Sequence, residues 1–546
     1  MKTSEKKYAF RERIDQVHPV INIRPDARKN QNEIELNSEW SICSEEGFTG
    51  HSTGGDLLDF FRVSLGLNLK TVVKPEPKTI VLEKIENDNG FSLSVSEESI
   101  LIRGNIRRGA IYLEDLFRFR EAPFAELCHV RKDCLFSPRM VHSAWGLDQY
   151  PDSHLNAIVH AGFDSILLFV KAPLVTTFGA MDFNDLIRRA AKFGIGVYFY
   201  SYLDSYISPD DPAAEAFFDS NFGKVFEECP LAKGLIIVGE SACFPTKDPH
   251  ASPRRCTEAA NGDARPCSGW WPCSDYPDWL NGVKKAVRKY SPDADIVFWS
   301  YNWGRQPVTF RQELIARLPK DVSLQATFEM YEVLPDKFPN HQAYVPDYTI
   351  TFPGPGFYFS SEAEAAKANG LRLYSMTNTG GRTWDCGVIP YIPVPMQWIK
   401  RFKAMVDAHY RWGLCGLMES HHYGWHPCQI TECAKHYFLS PEENPEEILR
   451  KIAVRDYGKT AAPEIMDAWQ LLSNAVDSYI PGFDDQNGPL RIGPAYPLLF
   501  RPILHPHDES NVKIPFPSYS FAGRRFVQER YMPEELYDSA HCGLRM

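Results

Sequence analysis

Between residues 138 and 420 the chain repeats one pattern: a short, almost wholly apolar run followed by a longer stretch whose apolar positions recur every three or four residues. The runs occupy 139–145, 165–171, 196–202, 234–240, 295–301, 322–328, 371–377 and 413–419. Continuous apolar runs of this length predict strands buried on both faces, and the amphipathic stretches at 152–161, 183–193, 213–228, 279–290 and 396–410 predict helices that cover them. Eight strand-helix units over this span predict a (β/α)8 barrel. A doubly wound sheet would offer a glycine-rich phosphate turn, and neither a Gly-x-Gly-x-x-Gly nor a Gly-Lys-Ser/Thr motif occurs, so no nucleotide cofactor is expected.

Before the repeat, Pro77-Lys-Thr-Ile-Val-Leu-Glu, Phe91-Ser-Leu-Ser-Val and Ser99-Ile-Leu-Ile-Arg-Gly read as three strands, and apolar residues at 111, 113, 116 and 117 as a helix over one of their faces. After it, 440–453 and 463–480 read as helices, the first with Glu442, Glu443, Glu446 and Glu447 where the helix dipole favours negative charge. The expected organisation is an N-terminal arm and small α/β accessory domain at 1–137, a barrel at 138–427, and a helical extension with an irregular tail at 428–546.

Composition sharpens this picture in one direction. Aromatic residues make up 13% of the chain, with 34 Phe, 25 Tyr and 12 Trp, more than a core alone requires, and aromatics in a cleft grip sugar rings and other flat apolar faces. The net charge of −11 and the lack of clustered Lys and Arg argue against nucleic-acid binding. No window is apolar enough for a transmembrane helix and the first residues lack an apolar leader segment, so a soluble, cytoplasmic protein without a membrane partner is expected. A homo-oligomer is compatible with this composition. The 13 Cys are expected to be mainly reduced thiols. Cys243, Cys256, Cys267 and Cys273 share one polar loop whose spacing is not that of a zinc knuckle; it reads as a structured loop with free or paired thiols. No metal is expected.

In such a barrel the chemistry gathers at the C-terminal ends of the strands. The first strand ends in His142, Trp145 and Asp148, the second in Lys171, and the third in Tyr200, Tyr202 and Asp204. Glu240 and Ser241 follow the fourth, and Trp299, Tyr301, Asn302, Trp303 and Arg305 the fifth. The sixth leads to Glu329 and Glu332, the seventh to Asn378, Arg382, Trp384 and Asp385, and the eighth to Glu419, His421, His422 and Trp425. Carboxylates among aromatics, with no nucleophile elbow, suit glycoside cleavage, in which one carboxylic acid protonates the leaving oxygen and a second carboxylate acts as base or nucleophile. Glu240 is the expected general acid because an apolar strand delivers it to the rim; Glu419 and Glu329 are the candidates for the second role. The aromatics, Lys171, Asp148, Asp385, the two Asn, the two Arg and the His pair are candidate sugar contacts. Two alternatives are a non-catalytic carbohydrate-binding protein on the same scaffold, and a barrel lyase or isomerase using Lys171 or His142 as base.

The order of elements resembles glycoside hydrolases that place a small α/β domain before a (β/α)8 barrel, namely the family 67 α-glucuronidases and the family 20 and 84 hexosaminidases. Phe91 to Phe117, ending in Gly-Asn-Ile-Arg-Arg-Gly-Ala-Ile-Tyr-Leu-Glu-Asp-Leu-Phe, is similar to their accessory domain, and 437–458 to their post-barrel segment. The resemblance implies that Glu240 matches the strand-four acid of family 67 and makes Glu329 a base candidate. Two positions depart from it: Asn378 lies where family 67 has a second strand-seven carboxylate, and Gly239 precedes Glu240 where family 20 has an Asp that supports the substrate's acetamido group.

Overall fold

The computed structural model describes residues 16–24, 26–142, 149–177, 179–251, 261–337, 345, 349–379, 392–420 and 427–478. Eight parallel strands close into a barrel: β1 Arg139–His142, β2 Ser165–Val170, β3 Gly196–Ser201, β4 Gly234–Val238, β5 Asp295–Trp299, β6 Ser323–Thr327, β7 Arg372–Met376 and β8 Leu414–Met418. Each pairs with the next in sequence, and β8 closes on β1 through Leu417 opposite Arg139 and Met418 opposite Met140. Every strand lies within an apolar run that predicts one.

Alternation along each strand divides the side chains between two layers. Leu167 and Phe169, Ile236 and Val238, Val297 and Trp299, and Met376 and Met418 fill the barrel interior. Their neighbours Ile166, Leu168, Leu235, Ile237, Ile296 and Phe298 pack outward against the surrounding helices. At the N-terminal end of the strands Asp295 plugs the interior, accepting hydrogen bonds from Tyr198 (3.2 Å), Tyr374 (2.8 Å), Ser323 (2.9 Å) and Arg372 (2.8 Å). Conserving this network serves stability, because chemistry in this fold belongs to the opposite end.

The helix expected at 213–228 contains a π turn at Asp219–Gly223 between Ala214–Phe218 and Lys224–Glu228. Helices Val308–Arg317 and Phe357–Ala368 add to the ring after β5 and β6, beyond the five expected helices. The N-terminal sheet has six strands in the order Lys70–Val72, Ser41–Ser44, Thr79–Lys84, Ser99–Gly104, Phe91–Val95, Cys128–Lys132. Helices Thr53–Ser64 and Ile106–Arg120 pack with it, the second capped by Asn105, whose side chain accepts the Arg108 N–H at 3.2 Å.

Beyond the barrel run Gln429–Leu439 and Pro445–Asp477, the latter broken at Gly458, whose φ of 82° is in the region glycine favours. Asn444 caps this last helix, so Glu442 and Glu443 precede it rather than forming its first turn. The expected irregular tail lies outside the described residues. Among the described residues no helix is long and apolar enough to cross a membrane.

Candidate active site

Glu240 stands on a short 3-10 turn, Gly239–Ser241, immediately after β4. It continues the inward register of Ile236 and Val238 and is half-buried at the C-terminal mouth of the barrel. Asn302, in the loop after β5, donates from Nδ2 to Glu240 Oε2 at 2.8 Å. Tyr331, in the loop after β6, in turn donates its hydroxyl to Asn302 Oδ1 at 2.9 Å. With its amide oxygen engaged by a phenol, Asn302 is fixed as a donor toward the acid.

The wall beside Glu240 is aromatic. Phe169, Tyr200 and Tyr202 form a chain with ring centroids 5.0 to 5.6 Å apart, and His142 lies on Phe169 at 4.1 Å. Burial, with the Glu240 charge adding to it, pushes the Tyr202 phenol up to about 12, so it stays a neutral donor. Across the mouth Tyr301 packs on Trp299 at 4.6 Å, and Arg305 lies over the Tyr331 ring at 5.3 Å.

Three residues of this rim hold left-handed backbone without being glycine: Asn302 (φ 67°), Tyr331 (φ 68°) and Asn378 (φ 51°). They sit in the loops that follow β5, β6 and β7. Such conformations cost of order 1 to 3 kcal/mol each and gather where the surrounding structure must place a functional group. Asn378 is 3% exposed and its Nδ2 has no hydrogen-bond partner among the described residues, an unusual state for a buried amide donor beside a cleft.

The two other carboxylates expected in the cleft are fully buried. Met418 faces inward, so Glu419, one position on, faces the outer layer. It is fully buried, with Arg139 donating from Nε and from Nη2 (3.1 Å) and Thr379 from its hydroxyl (2.6 Å). Glu329 is also fully buried, 3.7 Å from Arg401, a residue that donates to the carbonyls of Thr349, Phe352, Pro353 and Thr377. Glu332 accepts the Phe357 N–H at 2.6 Å, at the start of helix Phe357–Ala368.

Trp303 is likewise no open platform. It is 1% exposed, packed between Phe298 and Tyr276 and seated over Gly239, where a Cβ would fall 2.4 Å from its ring. Gly239 is therefore required by the indole, and Gly239→Ala is expected to cost about 1–3 kcal/mol in urea unfolding through overpacking. Lys171 and Asp204 are exposed at the ends of β2 and β3. Trp145, Asp148, Arg382, Trp384, Asp385, His421, His422 and Trp425 lie outside the described residues.

Sequence reasoning missed Tyr331 and Trp270. Trp270 is 56% exposed on the long loop after β4, and its carbonyl accepts Gln306 Nε2 at 3.2 Å, bringing the β4 and β5 loops together. That loop is the cysteine-bearing one, and it holds a disulfide between Cys243 and Cys267, with Cys273 buried as a free thiol. Cys256 lies outside the described residues. Its aromatic content was the available signal for Trp270.

His142 gives the site a pH signature. Full burial pushes its imidazole down to about 3 from the ordinary 6.5. The unfolded chain protonates this ring below about pH 6.5 and the folded one does not, so stability present at neutral pH is lost on acidification. His142→Phe is expected to shrink the difference in urea-unfolding free energy between pH 7 and pH 5 by about 2 kcal/mol.

No family model matches the chain, and no curated protein does. Among solved structures, a GH138 enzyme targeting pectin rhamnogalacturonan II aligns with a TM-score of 0.53 at 12% identity, over 80% of this chain and 55% of that one. This chain thus spans about half the length of that enzyme. The GH20 beta-N-acetylhexosaminidase from Streptomyces coelicolor A3(2) aligns at 0.47 and 12% identity, over 83% and 97% of the two chains. Streptomyces plicatus N-acetyl-beta-hexosaminidase aligns at 0.48 and 12% identity, over 84% and 96%. The likeness to the GH138 enzyme, at 12% identity, is one of fold alone.

Proposed function

We propose that the chain is a glycoside hydrolase in which Glu240 is the general acid, acting on an oligosaccharide or glycoconjugate. The observation that carries this reading is Glu240 itself, a carboxylate that a barrel strand delivers inward to the mouth, oriented by Asn302 and walled by tyrosines. A half-buried carboxyl beside apolar rings suits a group that must hold a proton for a leaving oxygen. Tyr202, Tyr301 and exposed Trp270 supply flat faces for a sugar ring, and the unpartnered amide of Asn378 a donor for a hydroxyl.

The barrel likeness to a pectin-targeting enzyme and to hexosaminidases supports a carbohydrate substrate. Gly239 weighs against chemistry assisted by the substrate's acetamido group, since the slot under Trp303 leaves no room for an acidic side chain there. With Glu419 and Glu329 fully buried beside Arg139 and Arg401, the second carboxylate is assigned to the remaining acids at strand ends: Asp204 after β3, Asp148 after β1 or Asp385 after β7. Replacing each by Asn identifies it. On an aryl glycoside that the wild type cleaves, one of the three variants is expected to lose about 10²-fold or more in kcat, while the other two change mainly KM. Retention of activity in all three contradicts a two-carboxylate mechanism.

A further inference from the structure

At the opposite end of the barrel from Glu240, four side chains from four segments converge on one point. His18 comes from the chain before the N-terminal sheet, Asp56 from helix Thr53–Ser64, Glu114 from helix Ile106–Arg120, and His160 closes helix Asp152–His160. That last helix runs antiparallel to β1, which places its end near the start of β2, away from the mouth. All four residues are at most 8% exposed, and one ligand-type atom from each lies within 4.8 Å of the others.

Hydrogen bonds fix how the two rings present themselves. His160 Nδ1 donates to the Asn156 carbonyl at 2.8 Å, so the lone pair of the neutral ring is on Nε2. That nitrogen points at Asp56 Oδ2 and Glu114 Oε2, 3.4 Å from each, and makes no hydrogen bond among the described residues. His18 Nε2 is paired with Asp56 Oδ1 at 3.1 Å, which turns Nδ1 toward Glu114 Oε2 at 3.6 Å, again without a hydrogen bond. Two imidazole lone pairs and two carboxylates facing one another repel unless an electrophile sits among them. Arg107 (3.3 Å) and Arg118 (3.5 Å) reach the same carboxylates, and Asn156 donates to Asp56 at 3.0 Å, but none of them lies between the rings' free nitrogens and the acids as a donor to the nitrogens.

The spacing matches a metal centre. Two ligands each 2.0–2.1 Å from a tetrahedral zinc ion lie about 3.4 Å apart. A backbone carbonyl behind Nδ1 is also the arrangement that orients a metal-binding histidine. We propose that His18, Asp56, Glu114 and His160 form a site for one divalent cation of the zinc class, which ties the N-terminal segment and its two helices to the barrel. The ion is structural, because the site is sealed by four buried side chains remote from the mouth.

The competing arrangement is a proton on each ring with no metal, and metal content separates the two. Full-length protein is stripped with chelator, titrated with Zn2+ alone, passed through a desalting column and assayed for metal; Co2+ is titrated in parallel for its visible absorption. One retained equivalent with the spectrum of a four-coordinate N/O site is expected, falling at least 100-fold in affinity in His18→Gln and His160→Gln, both with unchanged far-UV circular dichroism. Where a variant fails to fold, X-ray absorption of the zinc-loaded wild type decides: four N/O neighbours including two imidazoles support the proposal. No retained metal, sulfur in the coordination shell, or a full equivalent kept by both folded variants overturns it.

Discussion

Glu240→Gln is expected to lower kcat/KM on glycosides with poor leaving groups by about 10²–10⁴-fold, because it removes the proton donor to the leaving oxygen while keeping the side chain's shape. The same variant should lose far less on an aryl glycoside whose phenolate departs without protonation. That contrast distinguishes loss of acid catalysis from a general disturbance of the mouth. Asn302 donates to the carboxylate at 2.8 Å and can as readily face the Gln amide oxygen, so the substitution leaves the local frame intact. Activity within about tenfold of wild type on the poor leaving group contradicts the assignment.

Arg139→Met is expected to destabilise the fold by about 3–5 kcal/mol, read as a fall in the urea midpoint at unchanged slope. Arg139 is 2% exposed and Glu419 fully buried, and the guanidinium also lies over Phe163 at 5.1 Å and Phe438 at 5.0 Å. Removing it leaves a buried carboxylate whose one remaining donor among the described residues is the Thr379 hydroxyl. The double variant Arg139→Met with Glu419→Gln should recover much of the loss, since no uncompensated charge remains. Activity per folded molecule should persist in both. A stable Glu419→Gln variant that is catalytically dead would instead return Glu419 to the chemistry.

The barrel was legible because each strand is buried on both faces and so reads as an unbroken apolar run. The same property hides which face is inward. Glu240 and Glu419 carry one signature, a carboxylate after an apolar run, yet the first shares the register of Val238 and the second falls one step past inward Met418. Nothing in a run apolar at every position marks that one-residue difference. Trp303 reads as a rim aromatic until Gly239 is seen beneath it, a contact 64 residues away in sequence that only the closed barrel creates. Asn302 and Tyr331 carry their role in backbone conformation rather than residue type, since neither is a glycine. The short strands Ser41–Ser44 and Lys70–Val72 escaped notice because exposed or mixed side chains give them little alternation, and Cys128–Lys132 because its alternation sets only half-buried against exposed positions. The buried cluster of His18, Asp56, Glu114 and His160 was invisible for a different reason: its members are spread over 143 residues with no motif spacing.

The central claim is hydrolysis of a glycosidic bond that depends on Glu240, and the most direct measurement is product mass in 18O-labelled water. Wild type and Glu240→Gln are incubated with a panel of oligosaccharides and products are resolved by mass spectrometry. Wild type is expected to produce a new reducing end carrying one 18O atom, and the variant to do so at a rate at least about 10²-fold lower. Sugar binding without any cleavage, products lighter by one water, or equal rates in the two proteins would contradict it.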